Sequence, residues 1–314
     1  MTKLSVSIDM YSGRPNPELI LEGEAAVAAL SLLRPARLLP AGEQERELAR
    51  VLGYRGLTFI QLGEPVNELP RRVHLAAGRL FGVGLRHRAE VQDAEERLLA
   101  EDGPVGKLLD PEFRSYLWPQ VAKLHKFVWT SEPQEPASGT GPVECGQGPD
   151  ADLDWWSDMA IQNQPPCDRQ LMPRGARQCT NNCYNYATNL RTDSFAQPGK
   201  GGGHPLNNNR MTSLAIRLAA WYDGLLDAPA ANNACPAEGH LIGVALATPP
   251  LANSPDFHFW RKNRDGYWSS KAGIHRATDR DANNNRIADP RDALGLYPEW
   301  CGFMVIVPGH AQLA

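Results

Sequence analysis

The sequence predicts an α+β protein in two parts: an N-terminal α+β domain over 1–130 and a loop-rich α+β domain over 151–314, joined by a linker over 131–150. Two observations predict this division. First, period-2 strand patterns and helical Ala/Leu-rich runs both occur before residue 128. Second, composition breaks at Thr130–Pro142, where Pro, Gly, Ser and Glu occur without large apolar residues and offer no burial to offset the entropy of ordering. Beyond that break the chain turns rich in Asn, Trp, Cys, Gly and Pro, and all six cysteines fall at or after Cys145.

In order, Leu4, Val6, Ile8 and Met10 alternate with Ser5, Ser7 and Asp9 as a half-buried strand. Ser12–Pro17 is a turn-rich loop, because its two prolines fix φ and remove donors. Glu24–Leu33 and Gly42–Leu52 pattern as helices, Leu57–Leu62 and Arg72–Leu80 as strands, and Ala94–Glu101 and Pro111–Lys126 as closing helices. In the second part, a short helix is expected at Cys183 and an amphipathic one over Thr212–Leu226, with Leu214, Ile216, Leu218 and Trp221 apolar. His240–Leu246 reads as a buried strand. Asp256–Arg261 and Gly266–Ser270 read as a hairpin closed through Asp265-Gly266, and Gly302–Val307 as the last strand.

A formal charge of −4 gives no sign of nucleic-acid or membrane-surface binding, and no apolar run approaches the length that spans a bilayer. The first residues lack the h-region of a signal peptide, so a cytoplasmic protein, or one exported without a classical signal, is expected, with mostly free thiols.

The chemistry concentrates in Gln178–Ala187. Asn181 or Asn182 can cap a helix beginning at Cys183, which would place the sulfur at the positive end of the helix dipole and favour a thiolate. Downstream, Asp256, His258 and Trp260 share one face of a strand, and Phe257, Phe259 and Arg261 the other. A cysteine hydrolase needs such an imidazole as base and then acid, a group to orient it, and donors for the oxyanion. The expected catalytic set is Cys183, His258 and Asp256, with His240 as the rival base, Ser269 or Lys271 as rival orienting groups, and backbone donors at Asn182 for the oxyanion. The alternative is a buried helix cysteine and a hydrogen-bonded sheet histidine.

Three further features bear on metal and phosphate binding. Cys179 and Cys183, with Cys167, Cys235, Cys301, His204 and His240, would suit zinc only loosely, since no second Cys pair has knuckle spacing. Asp279–Asp289 resembles the start of an EF-hand, but Asn284 and Pro290 depart from it, and a polar turn is expected. Gly199–Pro205 lacks the ending of a phosphate loop. No metal or other cofactor is expected.

The residues Asn182-Cys183-Tyr184-Asn185-Tyr186-Ala187, Asp256–Arg261 and Asp265–Ser269 together resemble an uncharacterised bacterial family carrying NNCYNYA and DFHFWR…DGYWS motifs, over about 155–308. The order of a helix-start cysteine and a later strand histidine is similar to papain-like NlpC/P60 and CHAP amidases, by analogy and without their sequence contexts. That resemblance implies a papain-like second domain cleaving a peptide or amide substrate through a Cys183 thioester, with the N-terminal domain engaging a protein partner. A non-enzymatic binding or structural module, held by disulfides or a Cys/His metal site, is the competing expectation.

Overall fold

The computed structural model describes residues 2–33, 37–39, 48, 50–63, 69–82, 88–91, 93–125, 142–158, 176–228, 232–247 and 255–314. The fold is mixed α+β, built on two antiparallel sheets. The first contains β1 (Lys3–Asp9), β2 (Glu18–Glu22), β3 (Arg37–Leu39), β4 (Gly56–Gln61), β5 (Arg72–Ala76), β6 (Arg79–Gly82) and β7 (Arg88–Glu90), in the order β2-β1-β4-β5-β6-β7-β3. Leu4, Val6 and Ile8 of β1 are fully buried as the alternation predicts, but the strand is not half-buried, because Ser5 and Asp9 on its other face are buried as well. Leu4, Val6 and Ile8 pack with Ala26, Ala29 and Leu30 of helix α1 (Gly23–Leu32). Each such aliphatic side chain contributes about 2 kcal/mol of burial.

Arg72–Leu80 is a hairpin rather than one strand. Ala77 and Gly78 both take positive φ (48° and 68°), which a two-residue turn of the primed type requires. Helices α2 (Ala94–Leu99) and α3 (Pro111–His125) complete this core, with Leu117, Val121 and Leu124 facing inward. Asp110 caps α3 by accepting from the amides of Glu112 and Phe113. Most of the helix expected over Gly42–Leu52 lies outside the described residues; Val51 and Leu52, at its end, are not helical.

The second sheet is formed by β8 (Leu226–Asp227), β9 (His240–Ala247), β10 (Asp256–Lys262), β11 (Trp268–Lys271), β12 (Ala277–Thr278) and β13 (Glu299–Ile306), ordered β12-β11-β10-β9-β13-β8. The β10–β11 hairpin forms as expected and closes through Asn263–Gly266, with the Gly266 amide donating to the Asn263 carbonyl at 3.0 Å. Around the sheet lie α4 (Leu153–Trp156), α5 (Arg177–Thr180), α6 (Cys183–Thr188) and α7 (Ser213–Tyr222). One face buries Cys183, Tyr184, Ala187, Ile216 and Ala220 against Ile242, Val244, Leu246, Phe257, Phe259 and Met304. The other face buries Leu241, Ala245, Trp260, Trp268, Tyr297 and Phe303.

Two expectations are corrected. The linker expected over 131–150 lies outside the described residues up to 141. The part from 142 is anchored: the Cys145 amide donates to the Arg264 carbonyl at 2.7 Å, and Cys145 is disulfide-bonded to Cys235. The thiols are therefore not mostly free, since Cys179 is disulfide-bonded as well. Among the described residues, Cys183 and Cys301 are the free cysteines, both buried. Cys167 lies outside the described residues. No helix among the described residues is long and apolar enough to cross a membrane.

The loop after β1 is the wedge on which the second sheet docks. Ser12 and Gly13 donate their amides to the Asp256 carboxylate at 2.7 and 3.2 Å, and the Gly273 amide donates to the Ser12 carbonyl. The Gly13 carbonyl accepts from the side-chain amides of Asn182 and Gln197. Nearby, buried Asp9 accepts from Arg55 at 3.0 Å and Asn16 at 3.0 Å, and meets His275 Nε2 at 2.5 Å.

Candidate functional site

Helix α6 starts where the sequence places it. Asn182 Oδ1 accepts from the amides of Tyr184 and Asn185, while Asn185 Oδ1 accepts from the amide of Asn182, a complete capping box. The same box removes the oxyanion donors expected there, because the first-turn amides already hold a side-chain oxygen. The remaining amide hydrogens of Asn182 Nδ2 go to the carbonyls of Gly13 and Ala196, both at 2.9 Å.

Cys183 is fully enclosed, and its Sγ donates to the Phe257 carbonyl at 3.7 Å. Burial raises the thiol well above its ordinary pKa, and the charge of Asp256 adds to this. The amides of Phe259 and Tyr184 and the ammonium of Lys271 offset it only in part. The helix-dipole expectation fails because desolvation of a thiolate outweighs one short helix of six residues.

His258 does not meet Cys183. The sulfur packs on the face of β10 that carries Phe257 and Phe259, whereas His258 points to the opposite face, its ring 4.3 Å from that of Trp260 and 5.4 Å from that of Tyr297. Burial, reinforced by the Arg55 charge, pushes the imidazole well below its usual pKa, and among the described residues neither ring nitrogen has a hydrogen-bond partner. Asp256 does not orient it. Its carboxylate is taken by Ser12, Gly13 and the Tyr297 hydroxyl (2.6 Å), and burial raises its pKa. The rival base, His240, sits at the other end of α6 with Nε2 2.8 Å from the Ala187 carbonyl, and burial holds its pKa at about 4.

The other polar residues of the motifs are also engaged within the fold. Ser269 donates to Asn263 Oδ1 and lies 2.7 Å from the Tyr186 hydroxyl. Buried Lys271 donates to the carbonyls of Gln178, Asn181 (2.6 Å) and Gly273 (2.5 Å). Burial pulls its pKa down to about 7, but three carbonyl acceptors match the three hydrogens that only the charged ammonium carries. Arg261 stacks 4.1 Å over the Tyr186 ring and donates to the carbonyls of Tyr186, Asp150 and Ala151 and to Asn189 Oδ1. The Tyr184 hydroxyl donates to Asp223 at 2.9 Å, and Trp268 Nε1 donates to Asn233. The motifs thus form an interlock in which helix, hairpin and loops share hydrogen bonds.

Sequence reasoning missed the roles of Asp223 and Lys271. The glycine loop wraps the Asp223 carboxylate, which accepts from the amides of Gly199 (2.7 Å) and Gly202 (2.8 Å). Gly199 needs its positive φ of 80° and its missing Cβ, which would stand 1.9 Å from the His204 carbonyl oxygen. A loop that resembles a phosphate cradle therefore holds an internal carboxylate. The candidate zinc ligands are dispersed: Cys235 is bonded to Cys145, Cys179 is disulfide-bonded, and Cys183 lies in the core. In the acidic loop, Asp279 pairs with Arg286, and Asp281 accepts from the amides of Asn283 and Asn285. A cleft of about 290 Å³ between the first sheet and residues 273–274 is lined by Ser5, Ser7, Arg14, Thr58 and Arg72. A second of about 310 Å³ is lined by His240, Asn189 and Arg264. Neither is lined by Cys183 or His258.

No protein-family model matches the chain. No solved structure matches it. Over 134 residues, 42% of this chain and 82% of the relative, it is 38% identical to Insoluble matrix shell protein 1 of Ruditapes philippinarum. By that similarity, the chain belongs to the family of Insoluble matrix shell protein 1.

Proposed function

We propose that this protein is a non-catalytic structural component of an insoluble extracellular matrix, built as a disulfide-stapled scaffold. The observation that carries the proposal is the engagement of the motif residues inside the fold: Cys183 is sealed and bonded to a backbone carbonyl, and Asn182, Asp256, Ser269, Lys271 and Arg261 bind other parts of the chain. The relative's name places it in an insoluble shell matrix, and the Cys145–Cys235 bond suits an oxidising compartment. A papain-like hydrolase would need a solvent-reaching sulfur beside an imidazole. Here sulfur and imidazole lie on opposite faces of β10.

Sequential extraction of the source material tests the proposal, with the chain followed by antibody or peptide mass spectrometry. Recovery from the extracellular residue that buffer leaves insoluble is expected. Recovery from the soluble cytosolic fraction, with Cys145 and Cys235 reduced, would contradict it.

A further inference from the structure

Lys262 ends β10 directly opposite Trp268 of β11 and is buried (3% exposed). Among the described residues, the acceptors of its ammonium are both on Asn233: Oδ1 at 2.6 Å and the carbonyl oxygen at 2.9 Å. Trp268 Nε1 donates to the same Oδ1 at 3.0 Å. An ammonium and an indole N–H can only donate, which fixes that end of the carboxamide as its oxygen. Asn233 Nδ2 donates to the Ala288 carbonyl at 2.9 Å and to Asp289 Oδ2 at 3.2 Å. Two positions on, Cys235 is bonded to Cys145, whose amide donates to the Arg264 carbonyl in the β10–β11 turn. The segment carrying Asn233 is thereby held at the end of the hairpin where Lys262 lies.

Buried Lys271 meets three backbone carbonyls, whose amides cannot release nitrogen without breaking the chain. Lys262 instead meets a side-chain carboxamide, whose nitrogen can leave as ammonia. We infer that Lys262 and Asn233 join in an intramolecular isopeptide bond that the folded chain makes by itself. Neutral Lys262 Nζ attacks Asn233 Cγ, forming the Nζ–Cγ bond and moving the carbonyl π pair onto Oδ1. Trp268 Nε1 already sits on that oxygen and holds the developing charge. Nζ and Nδ2 then share one carbon, so the carboxylate bound to Nδ2 is within reach of both. Asp289 takes a proton from Nζ and delivers it to Nδ2. The carbonyl reforms, the Cγ–Nδ2 bond breaks, and ammonia leaves. One amine and one amide give one amide and one ammonia, with no co-reactant.

The surroundings suit each role. Burial lowers the Lys262 pKa, against the charge of Asp289, and so favours the neutral amine. Burial opposes the charge of Asp289 as well, but Arg291 keeps its carboxyl below the usual range, as the carboxylate that accepts a proton. Holding amine and carboxamide in contact makes an otherwise slow amide exchange intramolecular. The inference stands on these side chains and does not depend on where the protein resides, so failure of the extraction test would leave it intact.

Mass spectrometry of the reduced, denatured full chain, followed by tryptic peptide mapping, tests it. The wild type is expected to be lighter than its sequence by one ammonia. Lys262 is expected in a branched peptide joined to Asn233, uncleaved by trypsin at Lys262. Lys262→Arg should have its full sequence mass, and Asp289→Asn should leave most of the chain unjoined. A wild type of full mass, with Lys262 in a linear peptide, would overturn the proposal. So would ammonia loss that maps to a linear peptide, which would assign it to succinimide formation at an asparagine.

Discussion

Asn182 holds six hydrogen bonds in a site with no exposed surface: two accepted by its side chain from the first turn of α6, two donated to carbonyls from distant loops, its own amide donated to Asn185, and its carbonyl accepting from the Tyr186 amide. Asn182→Ala removes the cap and takes one of two donors from each of the Gly13 and Ala196 carbonyls, which keep Gln197 Nε2. It should destabilise the protein by about 1–3 kcal/mol in denaturant unfolding. Asn182→Asp keeps the acceptor but loses both donors and should fall between. The cap itself was legible, because Asn before Cys183-Tyr184-Asn185 is a local signal. What the cap does to Cys183 was not, because the chain that encloses the sulfur comes from Phe257, 74 positions away. Period-2 alternation in Asp256–Trp260 correctly separated the His258 face from the Phe257 face. Which face α6 would cover is a tertiary fact, and it decides against the Cys183–His258 pair.

At the scale of elements, the sequence marked most strands and helices but not the joints between them. Ser12–Pro17 reads as a surface turn, yet it is the loop into which Asp256 and Asn182 lock. A Cβ on Gly13 would lie 2.2 Å from the Phe257 ring. Gly13→Ala should therefore push the loop off β10 and destabilise by about 1–3 kcal/mol, seen as a lowered unfolding midpoint. The Cys145–Cys235 bond ties 142–150 to the segment that leads into β9, across 90 residues of sequence. Cys235→Ser should lower stability by about 2–5 kcal/mol. Six cysteines without pairing signatures do not reveal which two meet. The amphipathic pattern of α7 was legible, but the positions chosen as apolar mix its two faces, and the outward Leu214, Leu218 and Trp221 became visible only with the sheet in place.

On the scale of the whole molecule, three of the described histidines serve as neutral structural groups. His74 and His240 are each held at about pKa 4, chiefly by burial, and His258 is held well below its usual value. In the unfolded chain each titrates near ~6.5. Below that pH the unfolded state takes up protons that the folded state refuses, so stability falls as pH drops from ~6.5 towards 4, by up to about 3 kcal/mol for His240 alone. Asp9 acts lower. Burial opposes its charge, but His275 and Arg55 hold its carboxyl well below the ordinary range, so its contribution is present above ~3.9 and lost as the pH falls further. Denaturant midpoints between pH 7 and 4 should show the steep decline, and His240→Gln should flatten part of it.

The central claim, that Cys183 is a structural thiol sealed beneath β10, is tested most directly by quantitative alkylation of the native chain followed by peptide mass spectrometry. The fold predicts no labelling of Cys183 or Cys301 in the native protein, full labelling of both on denaturation, and labelling of Cys145 and Cys235 only after reduction. Rapid stoichiometric labelling of Cys183 in the folded protein would contradict it.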